Sequence, residues 1–130
     1  MLGRYRIVRG KRAPDDPLPD GVRQDTRKHT RHVLRPDTDA VKAFLDNPSD
    51  AAWKAFARDY EALLERRRTE TPEAFDELAA RATDEDVWIG CNCPTAKNPD
   101  VRRCHTYLAL RYMAKHYPEL DITWPDGTAP

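Results

Sequence analysis

Hydrophobic residues recur at helical spacing through the middle of the chain. The longest such series contains Trp53, Phe56, Ala57, Tyr60, Leu63 and Leu64. These positions follow the i, i+3, i+4, i+7 pattern, so their side chains share one face of a helix. Ser49 or Asp50 just before the series is suited to accept hydrogen bonds from the free backbone amides of the first turn. The pattern therefore predicts a long amphipathic helix with one face against a core.

Three further segments also have the pattern of helices. One covers Asp37–Asp46, and another opens at Thr71 and Pro72, where a proline at the first helical position is favoured. The last is predicted from about Pro99 to Tyr117, because Pro118 cannot continue a helix. The sequence thus predicts about four helices.

Short runs of apolar and β-branched residues predict three or four strands. They are Tyr5–Val8, Val33–Leu34, Asp86–Gly90 and Leu120–Trp124. The last two enclose the final helix, and this order is typical of a right-handed unit with parallel strands. We therefore predict an α/β fold with a small, mostly parallel sheet and a C-terminal βαβ unit. In that unit the strand of Trp88 would neighbour the strand of Trp124.

Length and cysteine usage limit the class of protein. A chain of 130 residues fits a single domain over residues 1–130, with flexible segments expected at 11–22 and 126–130. The three cysteines are an odd number confined to Cys91–Cys104, unlike the framework of a secreted disulfide protein. No apolar leader or membrane-length run is present, so we expect a cytoplasmic protein without a membrane partner.

Charge is unevenly distributed although the net charge is zero. Residues 1–35 contain ten Lys and Arg against four Asp, whereas residues 36–90 contain seven basic against fourteen acidic residues. A basic first third favours an anionic partner. Alternatively, the basic and acidic blocks face each other across the fold.

The cysteines and a neighbouring histidine are the candidate site. Cys91 follows a predicted strand, at the position where open α/β sheets bind ligands. Cys104 and His105 are predicted to lie about two turns into the next helix, with side chains tilted back toward the same loop. Nearby cations, Lys97 among them, would lower the pKa of a thiol and favour the reactive thiolate. We therefore predict Cys91, Cys104 and His105 as catalytic residues.

Other interpretations of the same residues stay open. Cys104 falls on an apolar helical stripe and is suited to core packing. A zinc site of Cys91, Cys93, Cys104 and His105 has acceptable ligand types. A third alternative is a Cys91–Cys104 disulfide that acts as a redox switch.

Two blocks of the sequence resemble domain-of-unknown-function family 488 (DUF488). The first is Phe44–Pro48 followed by Trp53, Phe56, Tyr60 and Leu64. The second is a strand ending in Cys91, followed by Cys104-His105 at a helix, which resembles the family branch with Cys-His-Arg. Thr106 stands where that branch has arginine. Of the signature that the family carries early in its sequence, Leu34-Arg35-Pro36 is the part that this chain retains. The resemblance implies an α/β fold and a Cys/His/Arg site, with no established activity.

These observations lead to one functional hypothesis with two alternatives. A pocket beside the cysteines would bind a phosphate-bearing ligand, either a nucleotide or a nucleic-acid end, with Cys91 as nucleophile and His105 as acid and base. The predicted anion-binding residues are Arg31, Arg35, Lys97 and Arg103. The alternatives are a non-catalytic nucleic-acid-binding module using residues 23–35, or an interaction protein with buried or zinc-bound cysteines. The sequence leaves open whether the chain is an enzyme, and it does not indicate an oligomeric state.

Overall fold

A three-stranded parallel sheet forms the centre of the computed structural model, which describes residues 1–130. The strands are β1 (Leu2–Arg6), β2 (Val22–Asp25) and β3 (Val87–Cys91), in the order β1-β3-β2. Arg6 is in register with Cys91, and Asp25 with Gly90. All three strands therefore end at the same edge of the sheet, which is where the candidate site lies.

Four helices surround this sheet. They are α1 (Thr38–Asp46), α2 (Asp50–Glu70), α3 (Pro72–Asp84) and α4 (His105–His116), with a 3-10 turn at Val101–Arg103. Local signals place the starts of the helices. The side chains of Asp37 and Ser49 accept hydrogen bonds from backbone amides in the first turns of α1 and α2. The α/β fold with about four helices is confirmed, and no helix is long and apolar enough to cross a membrane.

One hydrophobic cluster of 17 buried residues joins the sheet to the helices. Ile89 from β3, Leu64 from α2 and Leu110 from α4 are fully buried in it. Trp53 packs against this cluster and is only partly buried. The predicted apolar face of α2 is confirmed by Phe56, Tyr60 and Leu64, which are all buried.

The first two strands lie elsewhere than the sequence predicted. β1 begins at Leu2, whereas the prediction began at Tyr5, and β2 covers Val22–Asp25, where no strand was predicted. Val33–Leu34 is not a strand, because the neighbouring backbone is bonded to side chains: the Leu34 amide donates to His32, and the Val33 carbonyl accepts from Arg67. β2 was missed because it is a short edge strand with mostly polar residues.

The last helix begins later than predicted, at His105. Cys104 has extended backbone dihedrals and forms the N-cap of α4, so Cys104 and His105 lie at the helix start and not two turns into it. The preceding residues are held by side-chain bonds: Asp100 accepts from the Arg102 amide, and Asn98 donates to the Arg103 carbonyl.

The C-terminal segment reaches the sheet beside a different strand from the one predicted. Ile122 forms a single parallel bridge with Leu2 of β1. The Leu2 amide donates to Asp121, and the Thr123 amide donates to Leu2. Trp88 does lie in the central strand, and the order strand, helix, parallel bridge is kept. β1 therefore stands between β3 and the segment that contains Trp124, so the two were wrongly predicted to be neighbours.

Candidate functional site

The three cysteines converge at the carboxyl edge of the sheet. Cys91 is the last residue of β3, Cys93 follows two residues later, and Cys104 is the N-cap of α4. Their three Sγ atoms all lie within 4.8 Å of one another. All three thiols are free. The loop of residues 92–103 leaves the sheet and returns to it, which is how residues distant in sequence form one thiol cluster (Cys91, Cys93 and Cys104).

His105 is fixed against this thiol cluster by a hydrogen bond on the far side of its ring. The Thr26 hydroxyl donates to the Gly90 carbonyl at 3.0 Å, so its oxygen accepts from His105 Nε2 at 2.9 Å. The ring edge packs against Tyr60, with centroids 5.9 Å apart. His105 Nδ1 is then directed to the cluster and lies 3.9 Å from Cys104 Sγ. The histidine therefore faces the sulfur with the nitrogen that is free to exchange a proton.

Two further side chains donate hydrogen bonds to the sulfur atoms. Thr106 Oγ1 lies 3.1 Å from Cys104 Sγ, and Asn98 Nδ2 lies 3.3 Å from Cys93 Sγ. Arg4 of β1 donates to Thr106 Oγ1 and to the Cys93 carbonyl. Because the Thr106 oxygen accepts from Arg4, its proton is directed to Cys104. Thr106, which replaces the expected arginine, thus contacts the cluster, and Arg4 brings a guanidinium group to it from another strand.

The negative charge of the cluster is held on Cys104. The adjacent thiols of Cys91 and Cys93 and the neighbouring His105 lower the pKa of Cys104 well below its ordinary value. The same contacts with Cys104 raise the pKa of Cys91 and of Cys93. Burial opposes the charged form of His105, but the sulfurs of Cys104 and Cys91 together outweigh it and raise the pKa of His105 to about 9. The site therefore contains a thiolate-imidazolium pair with two protonated thiols beside it.

The lowered pKa expected for Cys91 is wrong in direction. Arg103 is paired with Asp50, and Arg102 donates to the Gly127 carbonyl, so neither guanidinium is held against Cys91. The sulfur of Cys91 instead adjoins that of Cys104, whose charge disfavours a second thiolate.

A cavity of about 270 Å³ opens directly onto the cluster. Cys91, Cys93 and His105 line it, whereas Cys104 is only 3% exposed and lies behind them. Its other walls come from the loop after β2, the loop after β3 and the apolar residues Pro36, Val41 and Leu45. Cys91 is therefore accessible to a ligand, and Cys104 is not.

Basic residues line the mouth of the cavity, and only one of them belongs to the predicted set. Lys97 lines it, together with Lys28 and Arg27. Neither lysine takes part in a salt bridge, whereas Arg27 is bonded to the Asp25 carboxylate.

The other three residues predicted to bind the anion lie outside the cavity. Arg31 is exposed and does not line the cavity. Arg35 donates to the His32 carbonyl, and Arg103 is paired with Asp50. Sequence reasoning missed Thr26 as a site residue, and it placed Arg27 and Lys28 only in the basic segment 23–35 of the nucleic-acid-binding alternative. A strand assigned at Val22–Asp25 would have identified them, because they follow it directly and parallel strands present their carboxyl ends at one edge.

The fold and site define a small parallel α/β protein with a Cys/His cluster at the carboxyl edge of its sheet. The family described as the active DUF488-N3 subclade matches residues 4–116, and the chain belongs to this DUF488 family. The resemblance found in the sequence is thereby confirmed. No curated protein and no solved structure matches the chain.

Proposed function

We propose that this protein is a thiol-dependent enzyme that acts on a phosphate-bearing ligand, with Cys91 as the reacting residue. The observation that carries the proposal is the division of the cluster into two parts. Cys91 and His105 line the cavity, while Cys104, in contact with both, is buried directly behind them. A nucleophile in contact with a group that can take its proton is the arrangement that covalent catalysis requires.

The chemistry assigned to each residue follows from its contacts. The Cys91 sulfur attacks an electrophilic centre of the bound ligand, a bond to sulfur forms, and the bond to the leaving group breaks. As that bond forms, the thiol proton passes by way of the adjacent, unprotonated Cys104 sulfur to the departing group, which restores the charge on Cys104. His105 stabilises that charge and exchanges the proton through Nδ1, because its Nε2 is held by Thr26. His105 is thus the acid and base of the site, acting through Cys104.

The phosphate group of the ligand is assigned to the mouth of the cavity. Lys28 and Lys97 are exposed there without a carboxylate partner, so their charge is available to an anion. Arg27 is held in place by three side-chain hydrogen bonds to the Asp25 carboxylate and one to Asn92, which makes it a fixed donor on the same rim. A nucleotide and a nucleic-acid end both carry the required charge.

Alkylation of Cys91 by a neutral reagent tests this proposal. We expect Cys91 to react before Cys104 in the native protein, and inorganic phosphate or a nucleoside monophosphate to slow the reaction. The combined variant Lys28→Gln/Lys97→Gln should lose this protection. Lys54→Gln, which removes a lysine from the exposed side of α2, is the matched control and should keep it. The proposal fails if Cys91 is inert from pH 6 to 9, or if neither anion protects it.

A second candidate function is nucleic-acid binding without catalysis. Arg23, Lys28 and Arg31 are exposed on the segment that leads from β2 to the cavity, and basic surfaces of this kind bind phosphate backbones. Binding of single-stranded DNA or RNA would then weaken with salt and would be unchanged in Cys91→Ser. Binding that is lost with Cys91→Ser contradicts this second candidate.

A further inference from the structure

The three thiols that form the cluster have the chemistry of a metal site. Their sulfur atoms lie within 4.8 Å of one another, and no carboxylate belongs to the group. Sulfur ligands 2.3 Å from a tetrahedral zinc ion lie about 3.8 Å apart, so a small closure of the loop would suffice. Soft thiolate ligands without oxygen ligands select zinc and other thiophilic ions over magnesium or calcium.

The surroundings of the sulfurs provide a second, independent indication. Asn98 is 7% exposed, and its amide donates both to Cys93 Sγ and to the Arg103 carbonyl. Thr106 is fully buried and donates to Cys104 Sγ, with its own oxygen held by Arg4. Buried donors aimed at sulfur stabilise thiolate charge and orient the ligand, which is the role of outer residues in metal sites.

We infer that Cys91, Cys93 and Cys104 form a binding site for a thiophilic divalent cation such as zinc. Three protein ligands leave one position of a tetrahedral ion open. Two residues of the cluster and His105 line the cavity, so either the imidazole or a solvent molecule is available for that position. The inference goes beyond the proposed thiol chemistry and does not require it.

Occupation of the site has a direct consequence for Cys91. A sulfur bound to zinc is no longer a free nucleophile, so the metal-bound protein should resist alkylation at Cys91. Removal of the ion by a chelator should restore the reaction. Cys93 distinguishes metal binding from the proposed thiol chemistry, because it would bind the metal but takes no part in the proposed proton transfer.

Cobalt titration of the reduced, metal-free chain tests the inference. We expect sulfur-to-cobalt charge-transfer absorbance that saturates at one equivalent of Co²⁺ and is abolished by one equivalent of Zn²⁺. Cys93→Ser should lower the affinity for Co²⁺ by at least about tenfold, because the loss of even an outer residue at a metal site commonly costs that much. Ala96→Ser places the same side chain at an exposed position of the same loop and should bind as the parent does. Circular dichroism of both variants establishes that they are folded.

The outcomes also separate this inference from the proposed function. Zinc should slow alkylation of Cys91 in the parent chain and leave Cys93→Ser unaffected. Absence of charge-transfer absorbance in the parent overturns the metal site even if Cys91 reacts and phosphate protects it. Unchanged cobalt affinity in folded Cys93→Ser overturns it as well. Saturable absorbance without any phosphate protection would instead support the metal site and count against the proposed enzyme.

Discussion

Thr26 Oγ1 lies 2.9 Å from His105 Nε2, and this one contact determines which nitrogen of the imidazole faces the thiol cluster. Thr26 is fully buried, and both its amide and its hydroxyl donate to the Gly90 carbonyl. The end of β2 is thereby attached to the end of β3 next to the cysteines. The histidine is oriented by the sheet itself and not by a carboxylate.

Replacing Thr26 by valine should impair the site while keeping its shape. Valine has nearly the same volume but cannot accept from His105 Nε2, so the imidazole loses its fixed orientation. A hydrogen bond worth about 1–1.5 kcal/mol corresponds to roughly a tenfold slower reaction of Cys91 at neutral pH. Thr26→Ser retains the hydroxyl and should react at nearly the parent rate. Equal rates in Thr26→Val and the parent would show that this contact has no effect on Cys91.

Removing Cys104 should make Cys91 more acidic. The hydrogen bond with Cys104 is the first cause of the raised pKa of Cys91, the charge on Cys104 adds to it, and His105 acts in the opposite direction. In Cys104→Ala the imidazolium is left beside Cys91, so the pH midpoint for alkylation of Cys91 should move down in metal-free protein. Cys93→Ala should produce a smaller downward shift, because Cys93 contributes less to the same effect. Alkylation rates against pH, read by mass spectrometry, measure both midpoints. An upward shift in Cys104→Ala would contradict the assignment of the negative charge to Cys104.

His32 should make the stability of the protein depend on pH. Its Nε2 donates to Gln24, and its Nδ1 accepts from the Leu34 amide. Protonation of Nδ1 would break the bond from Leu34. Burial also disfavours the charged form and lowers the pKa of His32 to about 4. The unfolded chain binds a proton near pH 6.5, so the stabilisation is complete above that pH and is lost as the pH falls toward 4. The free energy of unfolding, measured with urea, should fall by about 2–3 kcal/mol over this range.

Two variants isolate the contribution of that histidine. His32→Gln should be less stable at pH 7.5 and should show a flatter decline in stability between pH 6.5 and 4. His29→Gln is the matched control, since the His29 side chain is 62% exposed. A decline in His32→Gln as steep as in the parent would assign the pH dependence to other groups.

Phe56 should contribute more to stability than Trp53. Phe56 is 6% exposed and packs between Trp53 and Tyr60, with ring centroids 5.3 and 6.0 Å away. Phe56→Ala should therefore cost about 3–5 kcal/mol of unfolding free energy. Trp53 is only partly buried, so Trp53→Ala should cost less. Thermal unfolding of the two variants checks the order, and a larger loss in Trp53→Ala would contradict it.

The sequence was most informative where its signals are local. The apolar series of α2, the cap at Ser49 and the proline at the start of α3 all act within one or two turns, and those helices lie close to the predicted positions. β3 was also predicted, because Val87–Ile89 is a buried apolar run. The α/β class and the family followed from these parts.

Elements defined by distant contacts were not predictable in the same way. β2 is polar and becomes a strand only by pairing with β3, 65 residues later along the chain at the Val22–Val87 register. The helix pattern around Cys104 was misleading, because Asn98 and Asp100 hold the preceding residues in another conformation. Arg4 lies in β1 and Thr26 directly follows β2, so each reaches the site from a part of the sheet that is distant from the cysteines in sequence, and neither gave a local signal.

The bond from Arg4 to Thr106 joins residues 102 positions apart. Such a contact closes only after β1, β3 and α4 have assembled, and contacts of long sequence separation are slow to form. In the unfolded chain that contact is absent, and the donors that hold the sulfurs are no longer in place. The three thiols then have no common partner and are open to bonding with other chains. Unfolded protein should consequently form disulfide-linked aggregates under oxidising conditions in which the folded protein forms none.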